Sequence, residues 1–509
     1  MEPIVLTGEN LTVRDVADAA ARRREARIDP EARGRMEKSR ALVEAAIAER
    51  RVVYGVDTGF GDLADTLIDE KDLAALQRNL VRSHAAGVGP PLDDRATRAI
   101  LLAKANSLLK GYDGVRFEIP ATIVACLARD LLPVIPSIGS VGASGDLAPL
   151  AHLSLALVGE GEVRWEGKRI AAAEGLRRAG VPPLVLRPKE GLGLINGTQG
   201  ISGILALAVH DMEITREHAL IAAALSADAL HGTDDAFDPA LFRVRPHPGG
   251  ARAARRLRAL LAGSAIRESH RLIPKTQDAY SIRCAPVVIG AAGDVLEDVR
   301  RTVEIELNSA TGNPLCFAED GRILSGGNFH GEPVALAADF LAIAASEVGN
   351  IAERRVARLV DPKVSGLPPF LARDPGLHSG YMVAQYTAAA LASENKVLSH
   401  PASVDSIPTS AGQEDHVSMG FHAARKAREV VENVKRIVAI EFLAASEGIG
   451  FRRPVRSSRA LEAAVEAIRE AVPPVAEDRA LGRDIERVVR LMDEGSLLER
   501  VERALSAGE

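Results

Sequence analysis

The sequence predicts a mainly α-helical protein, in which a mixed N-terminal region carrying an Ala-Ser-Gly loop precedes a bundle of long helices. Three observations predict this fold class. Aromatic residues are only 3% of the 509 residues, whereas Ala, Leu, Arg and Glu, which favour helices, dominate the composition. Apolar residues recur every three or four positions through most of the chain. In the first half, however, short strand-like pieces alternate with shorter helices.

The mixed region is expected to span residues 1–195. A glycine-rich stretch, GSVGASGDLAPL, lies in its second half and leads into an apolar helical run at residues 147–158. Such a stretch is typical of a turn before a helix. The strand-like pieces of the region are residues 3–6, residues 52–56, and residues 162–170 around the turn Glu166-Gly167.

The bundle is expected to span residues 196–509. Its last long helical pattern, if continuous, is about 50 Å long at ~1.5 Å per residue. Helices of this length normally pack side by side. After Arg453 the chain is charged, and amphipathic helices there are expected to cap the bundle. The long helical patterns are residues 286–307, 332–359, 379–398 and 414–447.

Composition excludes several classes of function. The formal net charge is −6 and no long basic run occurs, so no nucleic-acid partner is predicted. Cys126, Cys284 and Cys316 are far apart, which favours a cytoplasmic protein over a disulfide framework or a zinc knuckle. The first residues lack the apolar core of a signal peptide. Residues 191–209 are uncharged but include several glycines and polar side chains, so no membrane span is predicted.

The Ala-Ser-Gly loop has four competing interpretations: a helix-entry turn, a phosphate cradle, a serine nucleophile, or a backbone that reacts with itself. A nucleophile elbow needs glycines two before and two after the serine, but Ser144 has Gly142 before it and Asp146 after it. Asp146 would also repel a phosphate at the start of the helix. A plain turn capped by Ser144 or Asp146 remains possible.

The fourth interpretation is a cyclisation of the backbone. If the amide nitrogen of Gly145 attacks the carbonyl carbon of Ala143, a five-membered ring closes. Glycine suits this attack because it has no Cβ to block the compressed backbone. Loss of water and of the Ser144 hydroxyl then leaves a methylidene-imidazolone, an electrophile that no ordinary side chain supplies. The residues of the loop alone leave this reaction and the plain turn both open.

GSVGASGDLAPLAHL resembles the signature of the aromatic amino acid ammonia-lyases, and other stretches resemble the same family in the expected order over about residues 54–420. The resemblance implies that Ala143-Ser144-Gly145 forms 4-methylidene-imidazol-5-one autocatalytically, with no diffusible cofactor and no metal. The other matching stretches are YGVDTGFGDLA, LQRNLVRSHAAGVGPPL, KEGLGLINGTQG, QDAYSIRCAP, ELNSATGNPL, SGGNFHGEPVA, SGYMVAQYTAAALASENK and HPASVDSIPTSAGQEDHVSMG.

The same resemblance implies roles for individual residues. Tyr54 matches the base that removes the β-proton, and Tyr280 matches a second tyrosine that assists elimination. Arg283 matches the clamp on the substrate carboxylate, where its planar fork suits bidentate pairing. The remaining polar or aromatic residues implied to line the pocket are Asn196, Gln277, Asn313 and Phe329.

Substrate choice is implied by the pair Ser83-His84 and by Glu414. Within the family the resemblance is to members that convert L-histidine to trans-urocanate and ammonia. A polar pair suits an imidazole, which offers one donor and one acceptor, and the Glu414 carboxylate can accept its N–H. The alternatives are a phenylalanine or tyrosine lyase or an aromatic 2,3-aminomutase of the same family, and a catalytically inactive helical scaffold.

The resemblance further implies a homotetramer whose active sites each draw residues from three chains. Helices about 40–50 Å long cannot easily bring all the candidate blocks to one point within a monomer. Tyr280 and Arg283 are therefore predicted to reach a ring formed by another chain. Asp57, Ala279 and Gly412 depart from the commoner family pattern, but none of these departures removes a catalytic group. His416 is interpreted as a structural residue.

Overall fold

The computed structural model describes residues 2–63, 65–271 and 277–507. The chain divides into two compact units. The first unit comprises Met1–His210, Val299–Asp339 and Pro401–Arg425, and the second comprises Asp211–Asp298, Phe340–His400 and Lys426–Glu509. The division predicted from the sequence, with its boundary at 195/196, stays a prediction.

In the described residues, short helices and four small sheets make up most of the first unit. The helices are Val13–Ala20, Pro30–Ala48, Leu73–His84, Asp94–Leu109, Glu118–Ala128, Leu147–Leu157, Ala172–Ala179 and Glu190–Ile195. Ile4–Leu6 pairs parallel with Ala26–Ile28, whereas the antiparallel pairs are Val88–Pro91 with Pro136–Ile138, Leu132–Pro133 with Glu162–Trp165, Glu162–Trp165 with Lys168–Ala171, and Leu315–Phe317 with Arg322–Leu324.

Most of the predicted local elements of this unit are confirmed. The strand at 3–6 is Ile4–Leu6, the piece at 162–170 is a hairpin, and the helix at 147–158 is Leu147–Leu157. The hairpin turns at Glu166 and Gly167, which have φ of +50° and +73°, as a tight hairpin with a right-handed twist requires.

The strand predicted at 52–56 is wrong, because these residues form a turn. The Val53 N–H is bonded to the Asp57 carboxylate at 2.8 Å, and the Val56 N–H is bonded to the Val53 carbonyl at 3.0 Å. Gly55 has a φ of +71°. A side chain that satisfies nearby backbone groups competes with sheet pairing, so the three valines that suggested a strand do not decide the conformation.

Five long helices carry most of the rest of the described chain. The four long helices predicted from the sequence are confirmed, with starts shifted for all but Glu332–Val360. The helix predicted from residue 414 begins at residue 420, since Thr409 and Glu414 pair with each other through their backbones. The long helices are Gln199–Ala229, Ala285–Leu307, Glu332–Val360, Met382–Leu398 and Gly420–Arg452.

The second unit is anchored by a buried ion pair between two of these helices. Arg355 and Glu441 are both fully buried, and the guanidinium donates to the two carboxylate oxygens at 2.5 and 2.8 Å. The Ser226 hydroxyl donates to the same carboxylate at 2.7 Å. Burying a charge pair is costly unless its remaining hydrogen bonds are also satisfied. The three helices that carry these groups must therefore align so that all of the bonds form.

Shorter helices complete the second unit, and helices after residue 453 are among them, as predicted. Arg459–Ala471 packs against Ser496–Ser506, and each has an apolar face, as the sequence predicts. The shorter helices are Pro239–Arg243, Pro248–Leu261, Ala265–Ser269, Tyr280–Arg283, Pro362–Ser365, Arg459–Ala471, Gly482–Asp493 and Ser496–Ser506.

One helix in the described part of the chain, Glu332–Val360, is long and apolar enough to cross a membrane. However, 72% of its most apolar 18-residue window is buried inside the protein, as in the core helix of a globular fold.

Candidate active site

The Ala-Ser-Gly loop is held in a conformation that requires its glycines. Gly142 and Gly145 have φ of +73° and +75°, a region that residues with a Cβ rarely adopt. A Cβ on Gly142 would overlap the Ser418 hydroxyl, and one on Gly145 would overlap the Gly197 carbonyl. The loop therefore excludes larger residues for two reasons, its backbone angles and its close neighbours.

Two other segments clamp this loop from the outside. The Asp146 N–H donates to the Gly197 carbonyl at 2.7 Å, and the Gly197 N–H donates to the Ser144 carbonyl at 3.2 Å. On its other flank, the Met419 N–H donates to the Val141 carbonyl at 2.9 Å. Residues far apart in sequence thus fix the backbone around Ser144.

Asp146 is fully buried beneath the loop. Its carboxylate accepts the Ile201 N–H at 2.8 Å and the Ser140 hydroxyl at 3.2 Å. Burial raises the pKa of this carboxyl to about 7, although these hydrogen bonds and the Gly200 N–H favour its charged form. The Asp146 side chain makes no capping bond to its own helix, Leu147–Leu157. The prediction that Asp146 caps the turn before this helix is therefore wrong. The carboxylate instead binds the first turn of Gln199–Ala229.

Glu414 interacts with three other predicted site residues. The Ser144 hydroxyl donates to its carboxylate at 3.4 Å, and the Thr409 hydroxyl donates to it at 2.6 Å. The Glu414 charge also acts on Tyr54, whose pKa it helps to raise, and on His84, where it opposes the lowering of the pKa by burial. Ser144, Tyr54, His84 and Glu414 therefore face a common site.

His84 presents one defined tautomer to this site. Its Nδ1 lies 2.9 Å from the Leu80 carbonyl, which can only accept, so Nδ1 carries the proton and Nε2 has the lone pair. The Ser83 hydroxyl donates to the same carbonyl at 3.1 Å. Burial lowers the pKa of His84, so its ring favours the neutral form and can accept a hydrogen bond.

The phenol of Tyr54 is a weaker acid than the phenol of a free tyrosine. Burial is the main reason that its pKa is raised, and the Glu414 charge raises it further. The Gly61 N–H, which donates to the phenol oxygen at 3.1 Å, opposes the shift. A base at this position therefore needs positive charge or donors beyond those that Gly61 supplies.

Asn196, Asn313 and Phe329 belong to the same unit. Asn196 is buried, and its Oδ1 has no hydrogen-bond partner among residues the structure describes. Asn313 accepts the Gly326 N–H at 2.9 Å. Phe329 is half-buried and lies two residues before Gly331, which contacts Ser418. The segments of Asn196 and Phe329 therefore lie beside the loop, the first through Gly197 and the second through Gly331 next to Ser418.

Gln277, Tyr280 and Arg283 belong to the second unit. Gln277 and Tyr280 are exposed, and the Arg283 guanidinium lies 4.4 Å from the centroid of the Tyr280 ring. Tyr280 and Arg283 lie on a one-turn helix, Tyr280–Arg283, and Gln277 lies three residues before it. They are not among the residues that the first unit gathers around Ser144.

A possible metal-ligand cluster lies near the site. Ligand atoms of His330, Glu332 and His416 lie within 4.8 Å of one another. However, Nδ1 of His330 accepts the Glu332 N–H at 3.3 Å, so Nε2 carries the proton and donates to the His416 carbonyl at 3.3 Å. In this tautomer His330 keeps no free lone pair for a metal ion, and we interpret the cluster as structural.

Sequence reasoning missed several residues that build the site. Thr409 and Ser418 hold Glu414 and the loop, and Lys104 donates to the Asn196 carbonyl at 2.8 Å. Lys104 is the one charged residue in the helical run ILLAKANSLL. A lone charge on a buried helix face is the one signal that could have found it.

The fold and this site define a lyase that acts on aromatic amino acids. The sequence model of the family described as aromatic amino acid lyase matches residues 11–470, and the chain belongs to this family. The predicted family, the mainly helical fold and the assignment as an enzyme are thereby confirmed.

Within the family, the chain is similar to proteins named histidine ammonia-lyase. It is 52% identical over 509 residues to the one from Anaeromyxobacter dehalogenans, covering 98% of this chain and 100% of that protein. It is 48% identical over 505 residues to the one from Alkaliphilus oremlandii, covering 99% of each.

Solved structures give the same fold. The histidine ammonia-lyase of Trypanosoma cruzi has a TM-score of 0.92 at 44% identity and covers 99% of this chain and 96% of its own. The tyrosine aminomutase of Streptomyces globisporus has a TM-score of 0.93 at 39% identity and covers 98% of each chain.

Proposed function

We propose that this protein deaminates L-histidine to trans-urocanate and ammonia without oxidation, in the cytoplasm, as a homotetramer. The observation that carries the proposal is the position of Glu414, which contacts Ser144 and acts electrostatically on Tyr54 and His84. Full-length similarity to proteins named histidine ammonia-lyase supports the same function.

The loop fits the prosthetic group that its family is known to use. Ring closure joins the Gly145 nitrogen to the Ala143 carbonyl carbon, and two water molecules leave, one of which carries the Ser144 hydroxyl oxygen. Glycine at 145 leaves space that a Cβ would fill. When formed, 4-methylidene-imidazol-5-one supplies an electrophile toward the substrate.

Asp146 is placed to move protons while the loop cyclises. The Ser140 hydroxyl lies 3.2 Å from its carboxylate and 3.4 Å from the Gly145 carbonyl oxygen, so it connects the two groups. A carboxyl with a pKa of about 7 can both accept and release a proton near neutral pH.

The imidazole of the substrate is expected to bind between Glu414 and His84. The Glu414 carboxylate stabilises the imidazolium form of the substrate, which has two N–H groups. One N–H donates to Glu414 and the other donates to Nε2 of His84. Tyr54 takes the β-proton as the base. Its raised pKa means that the phenolate forms only with added positive charge, which we assign to Arg283, with Tyr280 and Gln277 beside it, from another chain of the tetramer.

A phenylalanine or tyrosine lyase, or an aromatic 2,3-aminomutase, is the second candidate. The observation that favours it is the likeness to tyrosine aminomutase, with a TM-score of 0.93. The carboxylate of Glu414 argues for an imidazole instead, because a phenyl ring offers no N–H for it to accept.

Separate incubations of the purified protein with L-histidine, L-phenylalanine and L-tyrosine test the substrate. Urocanate from histidine alone is the expected result, and a β-amino acid product would identify a mutase. In the same preparation, mass spectrometry of the peptide containing Ser144 should show the loss of two waters. An unmodified peptide from active protein would refute the prosthetic group.

The role of Glu414 is tested by Glu414→Gln. The variant should lower kcat/KM for histidine by about a hundredfold or more, as loss of a group that binds and polarises the substrate does. The matched control is Asp415→Asn, which removes the adjacent exposed carboxylate and should leave the activity near wild type. Equal effects of the two substitutions would contradict the assignment.

A further inference from the structure

Lys104 is a buried cation that the proposed reaction does not yet use. It lies in the helix Asp94–Leu109 and is 1% exposed. Its ammonium donates to the Asn196 carbonyl at 2.8 Å and to Oε1 of Gln199 at 3.3 Å. Burying an ammonium is costly, and burial lowers its pKa to about 8, opposed chiefly by the Asp113 charge. An apolar residue would be the less costly choice for this helix face.

The Asn196 carbonyl that Lys104 binds belongs to the turn that holds the Ala-Ser-Gly loop in place. The next residue, Gly197, pairs with the loop through both its N–H and its carbonyl, to Ser144 and Asp146. The Asn196 Oδ1, buried and without a partner in the described ranges, is carried by the same backbone. Lys104 thus fixes this turn from the side opposite to the loop.

A second connection runs from the same cluster toward Asn313. Gln199, which accepts from Lys104, donates to the Thr311 hydroxyl at 2.7 Å. The Asp113 carboxylate fills the space where a Cβ on Gly312 would lie. Thr311 and Gly312 immediately precede Asn313, so Lys104, Asp113 and Gln199 lie beneath both asparagines predicted to bind the substrate.

We infer that Lys104 is a positioning residue, whose ammonium sets the Asn196-Gly197 turn so that the Asn196 side chain meets the substrate. The inference rests on the proposed function and names a further residue for it. The ammonium of Lys104 binds the backbone carbonyl of Asn196, so Lys104 acts through Asn196.

The protein offers a matched control for removing a buried lysine. Lys189 is also fully buried in the first unit and its pKa is lowered by burial, with Asp113 acting on it as well. Its Nζ has no hydrogen-bond partner within the described chain. Lys104→Met and Lys189→Met therefore remove the same group, but only the first breaks a bond to Asn196.

Steady-state kinetics with L-histidine on the intact protein tests the inference. Lys104→Met should lower kcat/KM at least about tenfold, as misplacement of a binding group does, whereas Lys189→Met should stay within about twofold of wild type. Equal losses in the two variants would overturn the inference. If the methionine variant is insoluble, Lys104→Gln, which keeps a donor without the charge, is compared with Lys189→Gln in the same way.

A double-variant cycle separates positioning from a structural role. In the background of Asn196→Ala, Lys104→Met should cost much less than it does in the wild type, because its partner side chain is already gone. Multiplicative losses in the double variant would overturn the inference. Failure of the proposed function is distinguishable, because it would appear as absent urocanate formation by the wild-type protein.

Discussion

Asp146 shows how much of this site depends on single buried side chains. The same carboxylate binds the first turn of Gln199–Ala229 and lies within reach of the Ser140 hydroxyl. Its charged form has good hydrogen bonds, yet desolvation outweighs them and raises its pKa to about 7. Because the pKa of this carboxyl is much higher in the folded protein than in the unfolded chain, the stability of the fold must depend on pH.

The sign of that dependence follows from the direction of the shift. The folded-state pKa of Asp146 lies above its ordinary value of 3.8, so its contribution to stability is fully present below about pH 4 and is lost as pH rises to about 7. The loss amounts to at most about 4 kcal/mol. Asp146→Asn removes this pH-dependent contribution. The difference in unfolding free energy between the variant and the wild type should therefore change between about pH 4 and about pH 7.

Urea unfolding of both proteins from pH 4 to pH 8 measures this difference. Asp415→Asn, which alters an exposed carboxylate, should keep the wild-type pH dependence. If Asp146→Asn kept it as well, Asp146 would not be the protonated group.

Individual site residues could be predicted only where they lie in a stretch of sequence that matches a family motif. Tyr54, Ser144 and Glu414 were predicted from their matching stretches, and the structure brings them to one site. The raised pKa of Tyr54 could not be predicted, because it results from burial by residues distant in sequence. Lys104 was missed for a similar reason, since the groups that accept its hydrogen bonds, on Asn196 and Gln199, lie about ninety residues away.

At the scale of elements, the reactive loop is shaped by segments other than its own helix. Gly142 lies just outside the tripeptide proposed to cyclise, so a substitution there tests the shape of the loop without changing the reacting atoms. Its φ is +73°, and a Cβ would overlap the Ser418 hydroxyl.

We expect Gly142→Ala to prevent the loss of two waters from the Ser144 peptide and to abolish turnover. The control is Gly180→Ala, at a helix end with a φ of +65° and open space around it. Gly180→Ala should cost about 1 kcal/mol of backbone strain, and Gly142→Ala should cost about 1–3 kcal/mol more from overlap. Mass spectra and urea midpoints check both, and equal behaviour of the two variants would contradict this account.

The elements that the sequence predicted well are those with many repeats of one pattern. The helix Glu332–Val360 was predicted within one residue at its C-terminal end, because eight turns of apolar spacing average out single exceptions. The strand at 52–56 failed because a single side chain, Asp57, binds the backbone locally. Short elements depend on such individual bonds, which composition does not reveal.

At the scale of the whole molecule, the predicted site residues are divided between the two units. Ser144, Tyr54 and Glu414 belong to the first unit, whereas Tyr280 and Arg283 belong to the second. In the proposed homotetramer, Arg283 of one chain supplies the positive charge that the Tyr54 of another chain lacks. Closed symmetric assemblies commonly build sites from more than one chain in this way.

Subunit mixing tests that arrangement. Ser144→Ala and Arg283→Ala should each be inactive alone, because one lacks the reactive loop and the other lacks the carboxylate clamp. When equal amounts are unfolded and refolded together, half of the pockets receive a normal Ser144 and, independently, half receive a normal Arg283. Random mixing therefore predicts about one quarter of the wild-type activity if the two residues come from different chains. If both came from one chain, every pocket would keep one defect, and mixed tetramers verified by native mass spectrometry would stay inactive.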